Sequence, residues 1–403
     1  MNKKTIIYIG NFLFPQGDAA SNLVESNGRI LDNLGYNVIF IGKDSIFDSN
    51  SSLMDTKKYY EFSEYFTIPF PNGLKKLVKS CKRYNDVIEL FKLYKYDLDA
   101  VILYGSPATN SFLVYKIKKW CMQNGIPFIG NIADISALSH GTIVERVAKW
   151  SNYLILRSYL KYGTNGVIAV SKYIKDYFSY KQKSMVIIPP LVNTEQFPKP
   201  YMEDSSKIVL VYAGIPFPID GRRVDVSSYK DRIDIVIELL NEVYKITQNF
   251  RLDIYGLTKE QYLNVVKKDK DILDEMSEAI VFHGKTYHKQ VLTAVSGADF
   301  TINLRDVNRM TMAGFSTKFV ESVSCGTPII TTNTSDLENY LEQGKNGFFI
   351  DIENKENAIK TLVTIFNFSK EEIFSMKKYC YKSRKFDYRN YIDKIEDFLS
   401  SLS

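Results

Sequence analysis

The regular alternation of short apolar runs with longer amphipathic segments constrains the fold of this chain most. The runs are rich in β-branched residues, and the segments between them have helical hydrophobic spacing, as in DRIDIVIELLNEVYKI. Strands that alternate with helices predict parallel sheets, because each crossover uses a helix to return the chain. The runs are TIIYIG, NVIFIG, AVILYG, PFIGNI, GVIAV and SMVIIPP, and then KIVLVYAG, FRLDIYG, AIVFHG, DFTINL, PIITT and NGFFID.

The alternation of apolar runs and amphipathic segments is interrupted once, by a polar, proline-bearing segment that we interpret as a linker at 193–204. A chain of 403 residues is longer than a single core usually grows, so two doubly wound domains are expected, 1–192 and 205–385. In open parallel sheets, ligands bind at the carboxyl ends of the strands. Two such domains that face one another form a cleft, which suits an enzyme with two substrates.

Composition excludes several classes of protein. Charged residues make up 24% and no run of 18 apolar residues occurs, so neither a disordered chain nor a membrane-spanning helix is expected. A net charge of +6 does not indicate a nucleic-acid binder. The opening MNKKTIIYIGNF has too short an apolar run for a signal peptide and is interpreted as a first strand. The four scattered cysteines argue against disulfides or a zinc site and favour the reducing cytoplasm.

The stretch GFSTKFVESVSCGTPII, residues 314–330, carries the most specific pattern. It predicts a helix over 317–325, with Ser316 or Thr317 as its N-cap and Gly326 just past its end. The unpaired N–H groups of the first turn, together with the helix dipole, favour an anion such as a diphosphate.

Glu321 is the one acidic residue of this predicted helix, and it lies one turn after Thr317 on the side away from the apolar stripe. Its carboxylate could accept hydrogen bonds from both hydroxyls of a ribose. A ribose and a diphosphate are neighbouring parts of a nucleotide-sugar. The alternative is that Glu321 pairs with Lys318 on a solvated helix face.

Read with NLRDVNRMTMA before it and GTPIITTNTSD after it, this stretch resembles the donor-site motif of retaining glycosyltransferases of glycosyltransferase family 4. Weaker resemblances extend over nearly the whole chain, for example in IIYIGNFLFPQGDAASNLV, GVIAVSKYIKDYF and KFDYRNYIDKIEDFLSS. The resemblance implies an α/β protein with the GT-B fold, in which two Rossmann-like doubly wound parallel-sheet domains face each other across a cleft. It also implies that C-terminal helices, 386–403, cross back to the first domain.

The resemblance is not complete. The family motif carries two glutamates eight positions apart, and Ala313 stands where the first is expected. What the family implies for Glu321, a ribose contact, carries over, and the sugar contact of the first glutamate does not. Ser316-Thr317-Lys318 is similar to the branch found among bacterial capsule and envelope enzymes, where backbone N–H groups around Gly314 to Ser316 could hold the sugar.

Two further residues of the second domain are predicted to hold phosphate. Lys230 matches the family's diphosphate-binding lysine, and its alternative is a solvated residue at a helix start. Arg305 ends the run DFTINL, where a carboxyl-end position faces the ligand, and its alternative is a surface pair with Asp306. His283 ends AIVFHG and is a candidate for lining the nucleotide pocket, and Arg222 or Arg223 could replace an arginine that the family usually carries.

The first domain is predicted to contribute His140, which resembles a family histidine near the transferred sugar, together with Asp134 six residues before it. A surface histidine is the alternative. Gly17 would let the backbone approach a diphosphate at the start of the first helix, or it is an ordinary turn residue. His288 is interpreted as a solvated helix residue. The Asp-x-Asp pairs at Asp97 and Asp269 lie in surface-like context, so no metal and no cofactor are predicted.

The segment near 74–95 is a basic amphipathic helix, which can lie on an anionic membrane or pack on its own sheet with a solvated basic face.

From these patterns and the family resemblance we predict a cytoplasmic, metal-independent retaining hexosyltransferase, at most peripheral to the membrane. It would use a nucleoside diphosphate sugar, UDP-sugar favoured over GDP-sugar, with a glycan or lipid-linked acceptor of bacterial cell-surface polysaccharide synthesis. A non-catalytic GT-B subunit that stabilises a partner transferase is the alternative. An NAD-dependent oxidoreductase is disfavoured because no G-x-G-x-x-G follows a strand.

Overall fold

The structure is a computed structural model that divides into two compact units. It describes residues 3–15, 18–43, 53–68, 74–106, 111–135, 143–179, 183–221, 224–226 and 229–402, without the side chains of 74–83 and 143–145. The first unit comprises Met1–Val192, Ala313–Phe315 and Asp387–Ser403, and the second comprises Asn193–Met312 and Ser316–Phe386. Residues 193–204, the predicted linker, group with the second unit.

The first unit is built on one sheet, in the order β3-β4-β2-β1-β5-β6-β7-β8. The described pairings are parallel except for that of β3 with β4. The strands are β1 (Thr5–Gly10), β2 (Asn37–Lys43), β3 (Lys58–Tyr60), β4 (Ser63–Ile68), β5 (Leu98–Tyr104), β6 (Phe128–Ile132), β7 (Gly166–Ala169) and β8 (Ser184–Ile187). The helices between them are α1 (Ala19–Asn33), α2 (Leu74–Leu93), α3 (Ser111–Asn124), α4 (Ile143–Tyr162) and α5 (Lys172–Tyr177).

The second unit is also built on a parallel sheet, in the order β11-β10-β9-β12-β13-β14. Its strands are β9 (Ile208–Ala213), β10 (Phe250–Tyr255), β11 (Ile280–Gly284), β12 (Phe300–Asn303), β13 (Ile329–Thr331) and β14 (Gly347–Phe349). Its helices are α6 (Ile233–Tyr244), α7 (Lys259–Val265), α8 (Lys270–Glu275), α9 (His288–Gly297), α10 (Arg309–Ala313), α11 (Thr317–Ser324), α12 (Lys355–Ile365) and α13 (Lys370–Ser383). The strand order reverses between β9 and β12, so the switch point, where such sheets bind ligands, lies at the carboxyl ends of these two strands.

The last helix of the chain belongs to the first unit. After α13 the chain forms a bridge from Asp387 to Val192 and continues into α14 (Ile392–Ser400). Ile395 and Phe398 of α14 are buried in the core of the first unit. A Cβ on Gly166 would lie 2.8 Å from the Phe398 ring, so this strand start accepts the helix because it has no side chain.

Among the described helices, none combines the length and the apolar character that a membrane crossing requires. Three cysteines of the described part, Cys121, Cys325 and Cys380, are buried free thiols. Burial raises the pKa of each of these thiols.

Candidate functional site

A buried carboxylate lies at the switch point of the second unit. Asp231 Oδ1 accepts a hydrogen bond from Nε of Arg305 at 2.8 Å, and its Oδ2 accepts one from Nζ of Lys318 at 2.7 Å. The hydroxyl of Tyr212, in β9, donates to the same Oδ2 at 2.9 Å. The side chain of Asp231 is 0% exposed, and those of Arg305 and Lys318 are 7% and 15% exposed. One negative charge therefore holds two positive charges at the rim of the sheet.

Charge pairing, rather than solvent, keeps Asp231 ionised. Burial alone would raise the pKa of this carboxyl group, but Lys318 and Arg305 more than offset that effect and hold the pKa well below its usual range. Burial and then the neighbouring Asp231 raise the pKa of Tyr212, so this tyrosine stays a neutral donor. The cluster of Asp231, Arg305 and Lys318 thus carries a net charge of +1, which favours an anion.

Three glycines lie at the carboxyl ends of strands of the same sheet. Gly214 directly follows β9, Gly256 directly follows β10, and Gly284 is the last residue of β11; all three have positive φ. The N–H of Gly214 donates to Tyr255 O at 2.9 Å, and the N–H of Gly256 donates to Gly284 O at 2.8 Å. A Cβ on Gly214 would lie 2.5 Å from Cε of Lys318, so the lysine side chain crosses the strand end at backbone level.

α11 begins beside the cluster and confirms the predicted helix and its caps. Ser316 is the N-cap, and its Oγ accepts from the N–H of Phe319 at 3.3 Å and from Nδ2 of Asn303 at 3.1 Å. Gly326 follows the helix with φ of +75°. The side chain of Ser316 is buried and used by the cap, so a ligand would meet backbone N–H groups at Thr317 and Lys318 instead.

Glu321 does not pair with Lys318, which corrects the alternative interpretation. Lys318 is engaged by Asp231, and Glu321 Oε1 lies 3.2 Å from Nε2 of His288, the first residue of α9. The Glu321 side chain is 27% exposed, and the hydrogen bond to it is the main cause of the raised pKa of His288. Protonated His288 therefore competes with any other donor for this carboxylate.

A small cavity of about 20 Å³ is lined by residues that include Glu321, Lys318, Ala213, Thr301, Asn303 and Ser322. A volume of this size holds about one water molecule. A ligand larger than a water molecule would therefore lie on the rim of this site rather than inside it.

Arg305 does not pair with Asp306 either. Asp306 instead accepts from NH1 of Arg232 at 2.6 Å. Lys230 is exposed in the loop before α6, and its N–H donates to Pro216 O at 2.7 Å. The N–H of Arg232 donates to Leu304 O at 2.7 Å. The loop that carries Lys230 and Asp231 therefore runs along the end of β12, and α6 begins only after it.

His283 lies away from the cluster, two strands from β9. Its Nε2 lies 2.8 Å from Oδ1 of Asp253, and its ring stacks on Tyr255 with centroids 4.4 Å apart and planes at 8°. The structure thus brings together Glu321, Lys318, Arg305, Ser316 and Thr317, with Lys230 next to Asp231 in the chain. His283 joins Tyr255 on a separate part of the rim.

In the first unit, Asp134 is exposed in the loop after β6. Burial, and then the negative charges of Asp134 and Asp18, raise the pKa of Tyr104 at the end of β5. Asp18 caps α1 by accepting from the N–H of Ser21. His140, Gly17 and the pair Arg222 and Arg223 lie outside the described residues. Gly314 lies between α10 and α11 and groups with the first unit.

In the described part of the chain, no three His, Cys, Asp or Glu side chains are close enough together to hold a metal ion. Asp99 pairs with Lys4, and Asp269 accepts from the hydroxyl of Tyr262.

Sequence analysis missed Asp231, Tyr212 and the role of His288 as partner of Glu321. One sequence signal could have indicated Asp231. It directly follows Lys230, a candidate phosphate ligand, and precedes an apolar helix, and a carboxylate that is buried at such a position needs a positively charged partner.

Residues 224–382 match the family described as Glycosyl transferases group 1. No curated protein matches the sequence. The fold of the chain is similar to that of sucrose-phosphate synthase from Thermosynechococcus elongatus, with 15% identity and a TM-score of 0.67 over 99% of both chains. HepE of Anabaena in complex with UDP has 14% identity and a TM-score of 0.65, over 98% of this chain and 100% of that one.

The catalytic domain of starch synthase IV from Arabidopsis thaliana, bound to ADP and acarbose, has 9% identity and a TM-score of 0.67 over 100% of this chain and 99% of that one. These likenesses establish the fold. The chain has the GT-B fold, which confirms the predicted fold class, and its second unit carries the group 1 glycosyltransferase match.

Proposed function

We propose that this protein is a retaining glycosyltransferase that transfers a sugar from a nucleoside diphosphate sugar. The observation that carries the proposal is the arrangement at the switch point, where Arg305 and Lys318 are fixed by buried Asp231 beside the start of α11. Glu321 lies one turn further along the same helix. We propose that the two cations bind the diphosphate and that Glu321 binds the ribose of the same nucleotide.

Departure of the nucleoside diphosphate is the step that this arrangement supports. Negative charge develops on the diphosphate as the bond to the sugar breaks, and fixed donors lower the barrier because they need no reorganisation. The ammonium group of Lys318 has three N–H donors, of which Asp231 accepts one. The N–H groups at the start of α11 add to this charge stabilisation. We propose that these groups take the place of a metal ion.

We propose a UDP-sugar as donor and a glycan or a lipid-linked molecule as acceptor, in bacterial cell-surface polysaccharide synthesis. The UDP complex of HepE, a protein of similar fold, supports the choice of nucleotide.

For the first unit we propose that His140 and Asp134 act near the acceptor and that Gly17 lies near the donor. The family resemblance and the position of Asp134 after β6 support this assignment.

A panel of nucleotide-sugars, with mass detection of transfer and hydrolysis products and with calorimetric titration of UDP, GDP, ADP and NAD, tests the proposal. We expect turnover of a UDP-sugar that persists in excess EDTA. Glu321→Ala should weaken UDP binding by roughly 10- to 100-fold, the loss of a charge-assisted hydrogen bond or two. Glu338→Ala, which changes a carboxylate of another segment of the same unit, is the matched control. Tight NAD binding without UDP or GDP binding would refute the proposal.

The second candidate is a non-catalytic GT-B subunit that stabilises a partner transferase. The observation that favours it is Ala313 in place of the first motif glutamate. In that case Glu321→Ala leaves complex formation intact and no nucleotide-sugar is turned over by the chain alone. Transfer by the purified chain that disappears in Glu321→Ala excludes this candidate.

A further inference from the structure

α4 of the first unit has two apolar faces. One face packs on the unit through the buried residues Tyr153, Leu156, Tyr159 and Leu160. The other is exposed and carries Val147, Trp150, Leu154, Ile155 and Tyr162, which are 64%, 51%, 54%, 39% and 68% exposed. A surface helix normally carries one apolar stripe, which faces the core. The second stripe therefore needs an explanation other than folding of this unit.

The exposed residues form one continuous stripe. At 3.6 residues per turn they lie within an arc of about 140° on the helix, with Ser151, Ser158 and Lys161 between them. The buried residues occupy the opposite side. A stripe of this kind is a surface rather than a set of scattered exposed side chains.

A groove extends the stripe onto α3. It has a volume of about 390 Å³ and lies between α3 and α4, where Val114 and Tyr115 of α3 face Leu154, Ile155 and Tyr162 of α4. Phe112, Tyr115 and Met122 of α3 are 50%, 62% and 72% exposed. Two neighbouring helices thus present aromatic and aliphatic side chains to the outside.

The two helices that form this face are strongly basic. α3 together with residues 146–162 of α4 contains seven Lys and Arg residues and no Asp or Glu. The acid of α4 is Glu145, whose side chain lies outside the described part. Nζ of Lys118, which lines the groove, donates to Tyr162 O at 3.1 Å, and Nζ of Lys161 lies 4.9 Å from the centre of the Tyr162 ring. Cations therefore border the apolar stripe.

We propose that the α3–α4 face docks on an anionic lipid bilayer, with its apolar side chains at the headgroup level and its cations against lipid phosphates. A bilayer interface takes up aliphatic side chains, places Trp and Tyr at the headgroups and attracts Lys and Arg. A second copy of this chain is a poor occupant, because two such basic faces repel each other. A nucleic acid would leave Val147, Leu154 and Ile155 without apolar partners. The proposal does not depend on the transferase activity.

Tryptophan fluorescence of the full chain with vesicles tests the proposal directly. The chain has two tryptophans, of which Trp120 is 9% exposed and Trp150 is 51% exposed. We expect a blue shift with phosphatidylglycerol-containing vesicles and none with pure phosphatidylcholine vesicles. Trp150→Phe should abolish the shift while co-sedimentation with the vesicles persists. A shift of equal size with both lipids would refute the role of the cations.

Paired variants locate the surface. Leu154→Glu with Ile155→Glu should abolish co-sedimentation with the anionic vesicles, whereas Ile246→Glu, at a 64% exposed apolar residue of the second unit, should not. Lys118→Gln with Lys161→Gln should weaken binding by roughly 30-fold, since each surface cation contributes a factor of about five. Thermal unfolding checks that the variants are folded, which is expected because the changed residues are exposed.

Three results would overturn the proposal. The first is absence of vesicle binding by the wild-type chain, and the second is retention of binding by the Leu154→Glu, Ile155→Glu variant. The third is self-association of the wild-type chain, seen by analytical ultracentrifugation, that this variant removes, because a second copy would then cover the face. If the wild-type chain captures an acidic protein but does not bind vesicles, the proposal is likewise overturned.

Discussion

Nζ of Lys318 lies 2.7 Å from Oδ2 of Asp231, although the two residues are 87 positions apart in the sequence. Arg305, 74 positions from Asp231, completes the cluster from the end of β12. The carboxylate therefore connects the loop before α6, the end of a central strand and the first turn of α11. A buried ion pair contributes little to stability in itself, but removal of one partner leaves the others uncompensated. The ion pairs fix the positions of two cations at the rim of the sheet, where we propose that a diphosphate binds.

Asp231→Asn tests this cluster. The amide keeps the shape but removes the charge, so we expect the free energy of unfolding of the second unit to fall by about 3 kcal/mol at neutral pH. Because the pKa of Asp231 is lowered in the folded state, its contribution is present above the usual 3.8 and is lost as the pH falls below it. The difference between the variant and the wild type should therefore shrink in acid. Urea unfolding at several pH values measures it.

Asp306→Asn is the control for this measurement. Asp306 is 33% exposed and pairs with Arg232, so its loss should cost less than about 1 kcal/mol. Equal effects of the two substitutions would mean that burial does not distinguish the two ion pairs, and the importance assigned to Asp231 would be wrong.

His288 predicts a pH dependence of nucleotide binding. Its pKa is raised above the usual 6.5 by the hydrogen bond with Glu321. The contribution of this pair to stability is fully present below the unfolded pKa and is lost as the pH rises through the folded one. Release of Glu321 at higher pH leaves its carboxylate available to a ribose. UDP affinity should therefore increase as the pH rises above 6.5 and through the raised pKa of His288.

Calorimetric titration of the wild type and of His288→Gln across this range measures the effect. The nucleotide's own phosphate ionises in the same range and affects both proteins, so the difference between their profiles isolates the histidine. Parallel profiles would show that His288 does not compete for Glu321.

The sequence predicts those strands and helices of this fold that depend on residues close together in the chain. Central strands such as β1 and β9 are buried on both faces, so they appear as uninterrupted apolar runs. β3 and β4 were not predicted: β3 is the edge strand and exposes residues such as Tyr59, and β4 lies next to it with partly exposed residues that break the apolar pattern. α11 was predicted because Ser316 and Gly326 are local signals for its two ends.

The candidate site is predicted less completely, because its side chains find partners across the fold. Glu321, Lys318 and Arg305 were predicted to form a donor site, and the structure brings them to one rim. Their counter-charge, Asp231, was not identified, since its neighbours are 74 and 87 positions away. The same limit explains the two incorrect alternative pairings, Glu321 with Lys318 and Arg305 with Asp306, which sequence proximity alone suggested.

The docking of α14 on the first unit gives a prediction about stability. Phe398 is 4% exposed in the core of that unit. Phe398→Ala should lower the free energy of unfolding of the first unit by about 3–5 kcal/mol, because it removes a buried ring and leaves a cavity. Native-state hydrogen exchange should show reduced protection of β7 and β8 and unchanged protection of β9 to β13. Glu396→Ala, at an exposed position of the same helix, is the control, and an equal loss there would contradict the assignment to packing.

Gly214→Ala tests whether the position of Lys318 governs nucleotide binding. Gly214 has φ of +152°, and its Cβ would lie 2.5 Å from Cε of Lys318, so the lysine must move away from Asp231. We expect UDP affinity to fall by roughly 10-fold or more, the value of a hydrogen bond between charged groups. Lys318→Met should produce a similar loss, and the double variant should bind no more weakly than Lys318→Met alone, because both changes remove the same interaction.

Gly344→Ala is the control that distinguishes backbone strain from displacement of the lysine. Gly344 also has positive φ but has nothing within 4 Å of its Cβ position. Additive losses in the double variant, or an equal loss in Gly344→Ala, would show that Gly214 acts by a route other than Lys318.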